Sequence, residues 1–89
     1  MSYTVKLKRS AEKELDQLQE RIHVRIANIL LALKENPLPR GVKKLRGRKG
    51  YRIRVGDFRI LYVIHEKEVE VFSIAHRKDV YRFYQRSKG

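Results

Sequence analysis

Hydrophobic residues recur with a helical period in the N-terminal half of this chain. Before the helical period begins, residues 3–7 alternate between apolar and polar and contain residues that favour strands, which predicts a short strand. Between residues 11 and 33 the apolar positions fall three or four apart, which predicts two helices facing a core, with a break near residues 19–21. Ser10 is the predicted N-cap of the first helix. The second helix ends at Asn36-Pro37, because proline cannot donate a backbone hydrogen bond within a helix.

The C-terminal half changes to a period of two, which is typical of strands. Residues 51–55 alternate strictly, Gly56-Asp57 has glycine at the first central position of a type II′ turn, and residues 58–64 continue the alternation. A third strand is predicted over residues 69–75 and a short helix over residues 79–86.

Residues 40–50 separate the two halves and are predicted to form a mobile or loosely paired basic loop. Together these elements predict an α+β fold. In it, an N-terminal strand and an antiparallel helix pair pack on one face of a mainly antiparallel four-stranded sheet, and a short C-terminal helix follows. We expect a single domain over residues 1–89, since the chain has no internal repeat and no linker.

The two-residue turn fixes the register of the predicted hairpin and brings arginines together. Arg54 becomes the direct neighbour of Arg59, and Arg52 lies on the same face, because side chains alternate along a strand. Like charges placed directly opposite each other destabilise a sheet, so this face suits bound phosphates. The alternative is a solvated face whose arginines lie over Leu61 and Val63. The other face is apolar and should meet the helices: Tyr51, Ile53, Val55, Phe58, Ile60, Tyr62 and Ile64.

The third strand is predicted to bring a histidine to the arginines. Continued alternation pairs Leu61 with Phe72 and Arg59 with Ile74, which places His76 on the arginine side of the sheet. Imidazole titrates near neutrality, and surrounding cations favour its neutral form, which can accept a proton. The other two histidines are interpreted as structural or solvated: His23 and His65.

The overall composition narrows the class of protein. The chain has 89 residues and 42% hydrophobic residues, so it is a small folded domain and neither a disordered basic tail nor a multidomain enzyme. Because cysteine is absent, disulfides, a zinc knuckle and a thiol nucleophile are excluded. No apolar run approaches the roughly 18 residues that span a membrane, and a cytoplasmic location is expected.

The net charge of +12 is concentrated in two segments. Residues 40–59 contain nine cations and a single acid, Asp57, while residues 76–89 contain five cations and one acid. The rest of the chain has no net charge. A generic solvated basic loop is one interpretation; contact with a polyanion is the other. The candidate residues for this contact are Arg40, Lys43, Lys44, Arg46, Arg48, Lys49, Lys78 and Arg82.

Two motifs resemble a known protein family. The stretch YRIRVGDFRILY at residues 51–62, followed by IAHRKDVY at residues 74–81, is similar to the RelE/ParE superfamily of bacterial and archaeal toxins. The resemblance covers essentially the whole chain and implies a RelE-like fold. RelE-like members are ribosome-dependent endoribonucleases that cut mRNA and are held inactive by an antitoxin. The implied products are a 2′,3′-cyclic phosphate and a 5′-hydroxyl, and no metal or other cofactor is needed.

The resemblance also implies roles for individual residues. Relatives have lysines at the positions of Arg52 and Arg54, where they assist the attacking hydroxyl, but an arginine does not readily give up its proton. His76 is therefore the candidate general base. The implied catalytic set is Arg52, Arg54, Arg59, His76, Arg77 and Tyr81.

The implied partners are the ribosome, mRNA and a cognate antitoxin that is acidic and partly disordered when free. The resemblance implies that the candidate residues of the two basic segments bind ribosomal RNA. A toxin–antitoxin heterotetramer is one assembly that this allows. Two other functions stay open: a ParE-like toxin that inhibits DNA gyrase without catalysis, and a plain ribosome- or RNA-binding module.

Overall fold

The computed structural model describes residues 2–80 of the chain. These residues form a five-stranded mixed sheet with two helices on one face. The strand order is β1-β5-β4-β3-β2, with β1 parallel to β5 and the other pairs antiparallel. A further helical segment begins at residues 77–80. The elements in chain order are β1 (Thr4–Leu7), α1 (Arg9–Asp16), α2 (Glu20–Ala32), β2 (Lys43–Lys44), β3 (Tyr51–Val55), β4 (Phe58–His65) and β5 (Glu68–His76).

The predicted α+β fold is confirmed, with one strand more than expected. Lys43 and Lys44, in the predicted basic loop, pair with Arg52 and Tyr51 and form the edge strand β2. The C-terminal helical segment starts two residues earlier than predicted, and its continuation beyond residue 80 lies outside the described residues. Neither α1 nor α2 is long and apolar enough to cross a membrane.

The start of α1 differs from the prediction. Lys8, not Ser10, is the N-cap, and its side chain makes no capping hydrogen bond. Ser10 lies inside the helix, where its hydroxyl donates to the carbonyl oxygen of Phe72 at 3.3 Å. The serine therefore links α1 to β5 and does not cap its own helix.

The predicted apolar faces of the helices and the hairpin meet in one core. Tyr62 is fully buried there, and its hydroxyl donates to the carbonyl oxygen of Pro37 at 2.6 Å. This bond ties the segment that follows α2 to the middle of the sheet, and burial raises the pKa of Tyr62. The buried residues of this core are Ala11, Ile26, Leu30, Leu33, Val55, Ile60, Tyr62, Val69, Val71 and Ile74.

The predicted hairpin register is confirmed at all five pairs, from Tyr51 with Tyr62 to Val55 with Phe58. Gly56 has φ 59°, whereas Asp57 has a negative φ, which is the combination that a type II′ turn requires. Arg54 and Arg59 are consequently direct neighbours across the two strands.

The predicted register between β4 and β5 is wrong beyond its first pairs. Ile64 pairs with Val69 as predicted, but Leu61 pairs with Ser73 and Arg59 with Ala75. Phe72 is the extra residue of a β-bulge between these two parts of the ladder. A bulge adds one residue to one strand and so reverses which face every later side chain occupies.

Helix α1 covers the part of β5 that extends past β1. The Glu14 carboxylate accepts hydrogen bonds from the backbone N–H of Ile74 at 2.9 Å and from the hydroxyl of buried Ser73 at 3.2 Å. These bonds satisfy a strand edge that would otherwise offer unpaired backbone groups.

A second group of buried residues lies outside the main core. Leu61 and Ala75 share the face of the arginines by register, and the loop after β2 contributes buried Leu45. The Leu45 backbone N–H donates to the Gly50 carbonyl oxygen at 2.9 Å and closes this loop, and Gly50 lies close to the Tyr62 carbonyl of β4. Val80, from the last helical segment, is buried as well. The arginine side of the sheet is therefore partly covered, and is not a plain solvated surface.

Replacing Tyr62 with Phe should lower the free energy of unfolding by about 1–2 kcal/mol, because the Pro37 carbonyl loses its donor. Urea denaturation measures this. Tyr51→Phe is the matched control, since its ring lies 5.8 Å from that of Tyr62 and its hydroxyl makes no hydrogen bond to a described residue. Equal stability of Tyr62→Phe and wild type would contradict the structural role of the bond.

Gly50→Ala should destabilise the chain by about 2–4 kcal/mol, more than Gly41→Ala, which should lose about 1 kcal/mol. Both glycines have positive φ, 131° and 90°. A Cβ at residue 50 would lie 2.8 Å from the Tyr62 carbonyl oxygen and 2.9 Å from Leu45 Cδ1, whereas one at residue 41 meets nothing within 4 Å. Equal losses in thermal unfolding would show that the loop is not packed against β4.

Candidate functional site

A groove of about 210 Å³ lies at the open end of the arginine face, and we call it the arginine groove. Arg52 and Arg54 reach it from β3 and Arg59 from β4, and Lys43 and Gly41 complete its lining. The three arginines share a face, as the strand alternation predicts. A groove lined by guanidinium and ammonium groups is suited to an anion, and planar guanidinium groups match phosphate oxygens in pairs.

The backbone of the hairpin turn positions Arg59. Its Nη1 donates to the carbonyl oxygens of Gly56 at 3.1 Å and Phe58 at 2.9 Å. Burial lowers the pKa of Arg59 from its usual value, and the positive charges of Arg54 and its neighbours lower it further. The repulsion is therefore real at this site, and a bound anion would relieve it.

Arg77 joins the three arginines from the end of β5. Its backbone N–H donates to the carbonyl oxygen of Asp57, and its Nε lies 3.8 Å from the Asp57 carboxylate. Arg77 is near enough to contribute to the lowered pKa of Arg59. We call arginines 52, 54, 59 and 77 the arginine cluster, because the positive charges of the other three all act on Arg59.

His76 is not on the arginine face, contrary to the sequence prediction. It pairs with Phe58, whose side chain belongs to the helix side of the sheet, and the two rings meet edge to face at 5.4 Å. The bulge at Phe72 causes the change, because it reverses the alternation of the strand before residue 76 is reached. Nδ1 of His76 accepts a hydrogen bond from the backbone N–H of Lys78 at 3.2 Å.

The remaining predicted RNA-binding residues divide among several places. Lys44, Arg48 and Lys49 line a second groove of about 360 Å³ on the other side of the loop. Arg48 also lies over the Phe72 ring, 4.3 Å from its centroid, which is the distance of a cation–π contact. Arg46 and Lys78 are exposed. Tyr81 and Arg82 lie outside the described residues.

Two features of the site were not predicted from the sequence. The loop residue Lys43 enters the arginine groove because it begins a strand that pairs with Arg52. An apolar groove of about 410 Å³ lies between the end of α2 and β3, and Arg54 and Arg40 stand at its edge. In residues 2–80 no cluster of His, Asp or Glu could hold a metal ion.

Comparisons with known proteins agree with this architecture. A family model described as the ParE toxin of the type II toxin-antitoxin system parDE matches residues 5–81. The putative toxin RelE1 of Methanocaldococcus jannaschii is 27% identical over 88 residues, which cover 92% of this chain and 98% of that protein.

Solved structures of toxins have a similar fold. One chain of the RelBE2 toxin–antitoxin complex from Mycobacterium tuberculosis is 30% identical, with a TM-score of 0.74 over 86% of this chain and 100% of that one. A chain of the archaeal RelE–RelB complex from Pyrococcus horikoshii is 29% identical, with a TM-score of 0.77 over 86% and 97% of the two chains. Because the family model spans most of its length, this chain belongs to the ParE toxin family, within the RelE/ParE superfamily of type II toxin–antitoxin toxins.

Proposed function

We propose that this toxin is a ribosome-dependent endoribonuclease that cuts mRNA and so stops translation. The observation that carries the proposal is the arginine cluster, in which three arginines line one groove and the fourth, Arg77, is near enough to act on the charge of Arg59. Evolution for stability alone would not place Arg54 directly opposite Arg59, because adjacent like charges destabilise a sheet. A scissile phosphate in the groove would offset that repulsion.

The proposed chemistry is in-line attack by a ribose 2′-hydroxyl on the neighbouring phosphodiester. The O2′–P bond forms, the P–O5′ bond breaks, and the products are a 2′,3′-cyclic phosphate and a 5′-hydroxyl. Negative charge builds up on the phosphate oxygens during this step. Backbone carbonyl oxygens hold Arg59 in place before substrate arrives, and Arg77 lies beside Asp57 of the same turn. Preorganised cations such as Arg59 stabilise such charge effectively.

The division of roles follows from the positions of the side chains. Arg52 and Arg54 are assigned to binding and orienting the phosphate from β3, and Arg59 and Arg77 to stabilising the developing charge. Tyr81 is assigned to stacking on the substrate or positioning the phosphate, on the resemblance alone. DNA should not be cut, because it lacks the attacking 2′-hydroxyl.

The cations outside the arginine cluster are assigned to the ribosome. The loop after β2 presents Arg46, Arg48 and Lys49 on the surface, and Arg40 and Lys44 flank it. Lys78 and Arg82 extend this basic surface beyond β5 in sequence. Ribosomal RNA is a dense array of phosphates, so a broad basic surface around the groove would hold the toxin there. We expect this activity in the cytoplasm, where the ribosomes are.

We also propose a cognate antitoxin as partner. The structural relatives from M. tuberculosis and P. horikoshii were both solved as toxin–antitoxin complexes. On this chain Leu31 and Val24 are 58% and 50% exposed on α2, and the apolar groove next to Arg54 is open. An acidic antitoxin that is partly disordered when free would fit these features, because its amphipathic segments could cover the apolar residues. A heterotetramer of toxin and antitoxin is one possible arrangement of the complex.

The second candidate function is inhibition of DNA gyrase without catalysis, which the name of the matching family model favours. A protein-binding inhibitor has no need of a converged set of arginines, so the nuclease remains our proposal. The two functions are separated by incubating the purified toxin with ribosomes and mRNA, and in parallel with gyrase and plasmid DNA. Cleaved mRNA supports the nuclease. Intact mRNA together with accumulated gyrase–DNA cleavage complexes would overturn it.

Arg59→Ala should reduce the single-turnover rate of mRNA cleavage about 10²–10³-fold, because one preorganised charge is lost at the phosphate. Arg21→Ala is the matched control, because it removes an equal charge from an exposed position on α2, and it should cut at the wild-type rate. Circular dichroism confirms that both variants fold. A folded Arg59→Ala protein that cuts as fast as wild type would remove Arg59 from the site.

Ribosome binding should weaken as salt concentration rises, and Lys49→Gln should reduce the slope of log K against log salt by about 1. The measurement is a binding titration at four or more salt concentrations. Lys6→Gln is the control, because Lys6 lies on β1 at the opposite edge of the sheet, beside Glu68. A slope that Lys49→Gln leaves unchanged would exclude the loop from the RNA interface.

A further inference from the structure

The arginines of the groove lack one property that the proposed reaction needs. Attack by a 2′-hydroxyl is faster when a nearby side chain takes up its proton. Guanidinium groups remain charged in proteins and cannot do this. The predicted base, His76, faces the other side of the sheet against Phe58. The group must therefore come from elsewhere.

Among the described residues that line the groove, Lys43 is the one with an amine, which can give up and take back a proton; the others are three arginines and a glycine. It is the first residue of β2 and pairs directly with Arg52, so the two side chains share the arginine face. Its neighbour Lys44 pairs with Tyr51 instead, and lines the separate groove on the other side. The strand pairing thus selects one lysine of the two.

The described charged residues that line the groove with Lys43 are all positive. Arg52 and Arg54 line it from β3 and Arg59 from β4, and no carboxylate is among its described lining residues. Asp57, the acid of the hairpin turn, lies beside Arg77. Within residues 2–80 Lys43 makes no ion pair with a carboxylate.

We infer that Lys43 is the proton acceptor for the attacking 2′-hydroxyl, an inference that rests on the proposed endoribonuclease function. The neutral amine of Lys43 takes the proton as the O2′–H bond breaks and O2′ bonds to phosphorus. The P–O5′ bond then breaks, and the departing O5′ takes a proton from water. The ammonium of Lys43 returns its proton to solvent, which balances the cycle. The base thus lies on the edge strand β2, and β3 supplies arginines only.

The test is single-turnover cleavage of ribosome-bound mRNA by Lys43→Arg. This variant keeps the positive charge and the hydrogen-bond donors, but a guanidinium stays protonated and cannot accept a proton, so the cleavage rate should fall at least about 100-fold. Ribosome affinity should stay within about threefold of wild type, which a loss of binding or folding would not produce. Lys43→Ala should regain rate as methylamine is added, because a free amine then occupies the space of the missing side chain.

Lys6→Arg is the matched control, since it makes the same change on β1 at the far edge of the sheet and should leave the rate unaltered. A Lys43→Arg protein that cuts at the wild-type rate overturns this inference and leaves the endoribonuclease proposal standing. If wild-type toxin itself leaves ribosome-bound mRNA intact, both are overturned.

Discussion

The two-residue turn at Gly56-Asp57 is the constraint on which the site depends. It fixes the pairing of β3 with β4, and that pairing forces Arg54 against Arg59 while the alternate residues face the core. The same turn provides the carbonyl oxygens that hold Arg59 and the carboxylate and carbonyl that hold Arg77. One short segment therefore sets the register of β3 with β4, determines which of their residues face the core, and brings the positive charges together.

The sheet tolerates this concentration of charge because its two faces are stabilised separately. On the helix face, fully buried Tyr62 and its neighbours bury enough apolar surface to hold the strands together. On the arginine face, Leu61 and Leu45 form a smaller buried group beside the groove. The repulsion among the arginines is only partly offset, since Asp57 is the one described acid that raises the pKa of Arg59. A preorganised site whose positive charges repel one another binds an anion with several negative charges best. The proposed transition state is such an anion.

The parts of the fold that were predictable from sequence are those set by local chemistry. The type II′ turn is two residues long, so the register of the hairpin and the arginine face follow directly. The helix stripes are local signals of the same kind, but α2 ends at Ala32, before the predicted stop at Asn36-Pro37.

The predictions that were wrong concern residues whose positions depend on contacts with distant parts of the chain. Ser10 bonds to the distant Phe72 carbonyl and does not cap its helix. The bulge at Phe72 left only a faint signal, the three-residue step from Val71 to Ile74 between core positions, and it moved His76 away from the groove. Two residues are too few for β2 to show a periodic pattern, so the position of Lys43 could be seen only in the folded chain.

The most direct test of the central claim is a cryo-electron microscopy structure of the toxin bound to a translating ribosome. The mRNA would carry a 2′-deoxy nucleotide at the cleavage position, so that binding occurs without reaction. We expect the phosphate 3′ of that nucleotide to lie in the arginine groove, within hydrogen-bond distance of Arg52, Arg54 or Arg59. A toxin bound with this groove empty, or with the mRNA phosphates against another surface of the chain, would contradict the assignment of the groove as the catalytic site.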